Sequence, residues 1–129
     1  MKILVVEPMK TPTVQEIDGS LRSMQELVGG TIQAVYPFDD PVALVCNDEG
    51  KLLGLPWNRA LTDDHGVPYD IVCGTFFVAG LKDDDFASLT EQQIEKYRKK
   101  YANEMVFSVP VPSGNHKKQC NKEKYEHER

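Results

Sequence analysis

Long apolar runs are missing from this chain. No stretch approaches the roughly 18 consecutive apolar residues that a membrane-spanning helix needs, so a helical span is excluded. The opening MKILVVEPMK has only the short apolar run Ile3–Val6, without the longer apolar core and small-residue cleavage site of a secretory leader. It is expected to be a first strand, and a cytoplasmic location fits it. Cysteine is also scarce. The three, at positions 46, 73 and 120, are an odd number with no CxxC pair and no histidine at metal-ligand spacing. That pattern argues against a disulfide framework and a structural zinc. Glycine-rich phosphate loops, a GxSxG elbow and an HExxH helix are absent as well, so no cofactor is expected.

What remains is the composition of an ordinary globular domain, 40% hydrophobic and 27% charged over 129 residues. That length suits one domain with one core. The net charge of −5 conceals an asymmetry. Residues 1–90 hold six Lys or Arg against fourteen Asp or Glu, whereas residues 91–129 hold nine against six. An acidic body with a basic C-terminal stretch offers different surfaces to different partners, although a solvated surface would look the same.

Apolar periodicity outlines the elements. Ile3–Val6 reads as a buried strand, and Val14–Ile17 returns beside it as an edge strand after two prolines. Asp18-Gly19-Ser20 offers N-caps for a short helix carrying Leu21, Met24, Leu27 and Val28, with Gly29-Gly30 to end it. Thr31–Tyr36 and the wholly apolar Val42–Cys46 read as strands, the second central in its sheet. Asn47-Asp48-Glu49-Gly50 is a turn signal, and Lys51–Leu53 is expected to return as its hairpin partner. Pro56–Leu61 is expected to leave that strand. Tyr69–Cys73 and Thr75–Ala79 are two further apolar runs joined at Gly74, with Gly80 closing the second and Asp83-Asp84-Asp85 an exposed linker. Ser88-x-x-Glu91 has the capping-box form, opening a helix whose apolar face is Ile94, Tyr97, Tyr101 and Met105. Val106–Val111 reads as a short extended segment. From Ser113 the polar tail has little to bury and is expected to be disordered. The expected fold is therefore a single α+β domain over residues 1–112, a mainly antiparallel sheet of five or six strands with two helices packed on it. The uncapped edge at Val14 or Lys51 would allow a homodimer.

A few polar residues sit where a core would not choose them. Arg59 has apolar sequence on both sides, and a buried guanidinium wants a carboxylate or phosphate partner. Asp70 is equally awkward between Tyr69 and Ile71, so an internal Arg59–Asp70 pair is the economical expectation. The functional alternative is a ligand pocket built from Asn58, Arg59, Asp70 and Thr75, with Gly74 allowing close backbone approach and Arg59 meeting a small anionic ligand such as a nucleotide phosphate. His65, at a loop tip, is the body's only histidine, and a catalytic role would need an orienting partner. The aspartate pairs at 39–40 and 63–64 and the triplet at 83–85 sit beside Gly or Pro, where turn chemistry favours Asp. They lack the alternation of a calcium loop. The basic helix face lacks interleaved aromatics, which counts against nucleic acid.

MKILVVEP, VYPFDDPVALVCNDEGKLLGLPWNRAL, YDIVCGTFFVAG and SLTEQQIEKY together resemble the family catalogued as domain of unknown function 3846, over about residues 1–101. The resemblance matches Asn58-Arg59 and Gly74-Thr75-Phe76 to family positions without attaching a catalytic role to them. It implies a setting in bacteria, phages and mobile elements, where small acidic domains often antagonise host defence. Residues and resemblance together lead to a non-catalytic binding module for a protein partner or a small anionic ligand. The alternative is a small hydrolase or nucleotide-processing enzyme using Asp70 or His65 with Arg59.

Overall fold

The structure, a computed structural model, describes residues 1–104. The extended segment expected over 106–111 and the polar tail from Ser113 lie outside them, as does Met105. Eight strands and two helices follow in the order β1 (Lys2–Val6), β2 (Thr13–Glu16), α1 (Leu21–Val28), β3 (Ile32–Val35), β4 (Val42–Asn47), β5 (Trp57–Thr62), β6 (Pro68–Cys73), β7 (Phe76–Lys82), β8 (Asp85–Ala87) and α2 (Glu91–Asn103). Six strands form one open antiparallel sheet in the order β2-β1-β7-β4-β3, with β8 also on β7. The α+β domain with its six-stranded sheet and two helices is thus as the sequence leads one to expect. The expected strand Tyr69–Cys73 lies outside this sheet as β6, paired with β5 in a separate hairpin, and β8 takes the sixth place in the sheet.

Alternation divides the sheet into two cores. Ile3, Val5, Ala43, Val45, Phe77 and Ala79 point to one face, where Met24 and Val28 of α1 cover them. Leu4, Val6, Leu44, Phe76 and Val78 point to the other, under Ile94, Tyr97 and Tyr101 of α2 and Leu61 and Val72 of the hairpin. Val42–Asn47 is buried at all six positions because both its faces are covered, which is why it reads as an unbroken apolar run. β7 is the spine. It pairs with β4 along one side, and with β1 and then β8 along the other.

Short-range chemistry ends the elements. Ser20 caps α1 by accepting from the Ser23 amide, and Gly29 closes it in the left-handed region at φ 82°. α2 starts differently from the sequence expectation. Its N-cap is Thr90, whose hydroxyl accepts from the Gln93 amide while the Gln93 side chain accepts from the Thr90 amide. Ser88 is used elsewhere, its hydroxyl accepting the Lys2 amide and tying the approach to α2 onto β1.

Three other expectations are corrected. Lys51–Leu53 is not a strand. Residues 48–54 are a turn closed by Leu53 donating to Glu49 and Leu55 to Gly50, and β4 takes its partners from β3 and β7 instead. Gly50 presses on β6 so closely that a Cβ there would lie 2.5 Å from the Cys73 carbonyl oxygen, which docks the turn against the end of β6. Trp57–Thr62, expected to be leaving a strand, is itself one. Asp83-Asp84 is a tight turn and no linker: both have positive φ, at 53° and 68°, and they join Lys82 to Asp85 across the β7–β8 hairpin. Aspartate tolerates that region better than most side chains.

Candidate functional site

Asn58 and Arg59 are both fully buried on β5, and hydrogen bonding explains how a core accepts them. The Asn58 amide donates to the carbonyls of Val6 (2.9 Å) and Gly74 (2.8 Å), while its side-chain oxygen accepts from Arg59 at 2.7 Å. Arg59 donates through Nε to the Tyr101 carbonyl at 2.9 Å and through a terminal nitrogen to the Lys10 carbonyl at 2.7 Å. It also reaches the Asn58 carbonyl at 3.2 Å. One guanidinium therefore ties β5 to the end of α2 and to the β1–β2 loop. It sits where the helix dipole favours a cation. Burial lowers its pKa, opposed by Tyr101 and Glu104.

The expected Arg59–Asp70 pair does not form. Asp70 pairs with Lys51 in the 48–54 turn, and the same carboxylate oxygen accepts the Ile71 amide at 2.8 Å. Lys51 extends from the turn to β6, so it reaches Asp70 first, while carbonyls satisfy Arg59 without a carboxylate. Of the five residues read from the sequence as a ligand set, Asn58, Arg59 and Gly74 meet in one network, with half-buried Thr75 following. Asp70 stands outside it. Gly74 has φ 89°, and a Cβ there would lie 2.7 Å from Leu55 Cδ1. What approaches its backbone so closely is the protein's own Leu55 and Asn58.

The other polar candidates resolve into turn and surface chemistry. His65 is at an exposed turn tip, where its amide and that of Val67 donate to Asp63 Oδ1. It does not join Arg59 in the core or Asp70 beside Lys51. Asp40 accepts from Lys96 and from the Tyr97 hydroxyl, both at 2.7 Å, which lowers its own pKa. Among the described residues no cluster of three acidic, Cys or His side chains could hold a metal. On α2, Arg98 and Lys99 pair with Glu95, Lys100 with Glu104 and Lys96 with Asp40, so its cations face carboxylates of the same protein.

A different place forms a cleft. The β5–β6 hairpin overhangs the edge of the sheet at β3, leaving a shallow cleft whose walls include Gln33 and Val35, Lys51 and Leu52, and Leu61 and Ile71. Cys46 is also in its lining, and burial pushes that thiol up to about 11, so at neutral pH it is a protonated, apolar surface. Two further hollows continue the cleft past Tyr36 and Tyr69 and on to Phe38 and Lys100. Around Cys46 and Leu61 the lining is more apolar than polar, whereas the hollow beside Phe38 and Thr62 is mostly polar. Asp39, Asp48, Glu49, Asp63, Asp64 and Asp70 line these spaces against only Lys51 and Lys100. Lys51 holds Asp70, itself one of the six, and Lys100 holds Glu104. Tyr36 is 63% exposed and Leu52 58%, large apolar groups standing in water beside the opening. Sequence reasoning passed over this cleft. The available signal was Leu52-Leu53, two large apolar residues that a simple polar turn would not carry.

An open antiparallel sheet with a helix on each face and a hairpin over one edge makes this a single-domain α+β protein, with no described helix long and apolar enough to cross a membrane. The chain belongs to the family described as Domain of unknown function (DUF3846), whose model matches residues 1–102. No curated protein and no solved structure matches it.

Proposed function

We propose that this domain is a non-catalytic module that binds a protein partner in the cleft between β3 and the β5–β6 hairpin. The observation that carries the reading is the composition of that cleft, an apolar patch around Cys46 and Leu61 with five carboxylates along its length besides Asp70, which Lys51 already neutralises, while Lys100 is held by Glu104. An apolar patch ringed by charge is the usual form of a protein-recognition surface. The charge selects a basic partner. A small anionic ligand, the other occupant the sequence allows, would need Arg59, which is 0% exposed and donates to three backbone carbonyls and the Asn58 side chain. The hydrolase alternative needs His65, Asp70 and Arg59 in one cleft, and they occupy three separate surroundings. A host-defence antagonist is the narrower form of the protein-binding reading; it adds a source for the partner and no residue to the site.

A thermal-shift series on the full chain tests this. Peptides with an apolar centre and lysine at both ends should raise the unfolding midpoint, because a ligand of the native state stabilises it by mass action. Nucleotides and cyclic dinucleotides should not. Leu52→Asp, on a side chain 58% exposed, should remove the peptide effect and leave the unliganded midpoint in place. A nucleotide shift without a peptide shift would reverse the reading.

A further inference from the structure

The two ends of the main sheet are not alike. β2, at one end, is exposed at all four positions, begins directly after Pro12 and ends on Glu16. Short length, proline and charge are how proteins blunt an edge against unwanted pairing. β3, at the other end, is Ile-Gln-Ala-Val with Tyr36 next, and holds neither proline nor charge.

The hydrogen-bond phase at β3 follows from the contacts at the two flanks of β4. The Asp48 amide donates to the Thr31 carbonyl at 2.8 Å, so these two residues form a bonded pair. Bonded and non-bonded pairs alternate along an antiparallel ladder. Gln33–Cys46 and Val35–Leu44 are therefore the bonded pairs, and Ile32 and Ala34 turn their N–H and C=O groups away from β4. The far side of β4 agrees. The Leu81 amide donates to Pro41 at 2.9 Å, placing odd-numbered residues of that segment toward β7 and even-numbered ones toward β3. No strand pairs with the outer edge of β3 among the described residues.

We propose that β3 recognises its partner by strand addition: an extended segment of another protein, apolar at alternate positions and flanked by Lys or Arg, pairs with the backbone of Ile32 and Ala34. This deepens the protein-binding reading and rests on it. Every second side chain of the added strand enters the cleft beside Val35, Leu61 and Tyr69, while main-chain bonds supply affinity independent of sequence. Charge selects the occupant. Carboxylates stand at both ends of β3, with Asp48 and Glu49 beside its start and Asp39 beyond its end, next to Asp40, which already holds Lys96. A second copy paired antiparallel would set one copy's acidic start against the other's acidic end. A strand with basic flanks meets opposite charge at both.

The test uses the full chain and a fluorescent probe peptide of alternating valine and threonine with two lysines at each end, followed by anisotropy. Ala34→Pro removes the outward amide of β3 without touching a β3–β4 bond, and Gln33 before it is already extended, as a residue preceding proline prefers. Ala34→Pro should keep its unfolding midpoint and bind the probe at least about tenfold more weakly. A probe with alternate backbone nitrogens methylated should lose as much against the parent protein. Should Ala34→Pro fail to fold, the methylated probe alone decides. If both bind like their parents while Leu52→Asp abolishes binding, the cleft reading stands and strand addition is wrong. If the parent never binds the probe, or Leu52→Asp also leaves binding intact, the cleft reading falls with it. A parent that sediments as a dimer, and becomes monomeric on Ala34→Pro, would identify a second copy as the occupant and overturn the proposal.

Discussion

A buried arginine that finds no carboxylate must be held by dipoles, and the position of those dipoles decides what its loss does. Arg59 takes three backbone carbonyls and one side-chain oxygen from three separate parts of the chain. Arg59→Leu should therefore destabilise the domain by about 3–5 kcal/mol, since it strands buried acceptors that water cannot reach. Arg59→Lys should fail in the same direction, because one ammonium cannot span the same set of acceptors. Urea denaturation measures both. An Arg59→Leu protein of parental stability that lost a ligand would instead return Arg59 to a binding role. That Arg59 is buried was legible in the sequence, from the apolar residues on either side of it. Its partners were not. Carbonyls from Lys10 and Tyr101 are brought to it by tertiary folding, and neither residue's identity advertises that role. Asp70 was misassigned for the converse reason. Its partner Lys51 lies in a segment whose sequence reads as a hairpin strand.

At the scale of elements, legibility followed periodicity. Ile3–Val6, Leu21–Val28 and Val42–Cys46 each have one strong pattern with turn residues at the ends, and each appears in the structure with nearly those bounds. Trp57–Thr62 was missed because its alternation is broken: Asn58 and Arg59 are consecutive, polar and both buried, with a bulge where the register to β6 shifts between Trp57 and Arg59. The cap of α2 was misplaced by two residues because Ser88-x-x-Glu91 and Thr90-x-x-Gln93 both satisfy the motif. Geometry chose the second when Ser88 bonded to Lys2. Thr90→Ala should consequently cost about 1 kcal/mol with loss of protection in the first turn of α2, as read by amide exchange. Ser88→Ala should leave that turn protected, and loosen the start of β1 instead.

For the whole molecule, β7 determines cooperativity. Phe76 faces the α2 core and Phe77 the α1 core, both 0% exposed and adjacent in sequence. Phe76→Ala and Phe77→Ala should each cost about 3–5 kcal/mol. Because one strand carries both cores, either change should lower a single transition in which far-ultraviolet dichroism and Trp57 fluorescence coincide. Separate transitions would mean that the two layers unfold independently. The topology has another consequence. β4 and β7 are antiparallel neighbours, yet 28 residues lie between Asn47 and Phe76 where two would suffice to close a hairpin. That excursion carries the turn, the overhanging hairpin and half of the cleft, and it leaves and rejoins the sheet at adjacent places. Asn58 fastens its base by bonding both Val6 and Gly74. Such an arrangement separates what must be kept from what can vary: Asn58, Arg59, Leu61 and Val72 anchor the excursion to the α2-side core, while its exposed turn and loop residues can change without disturbing either core.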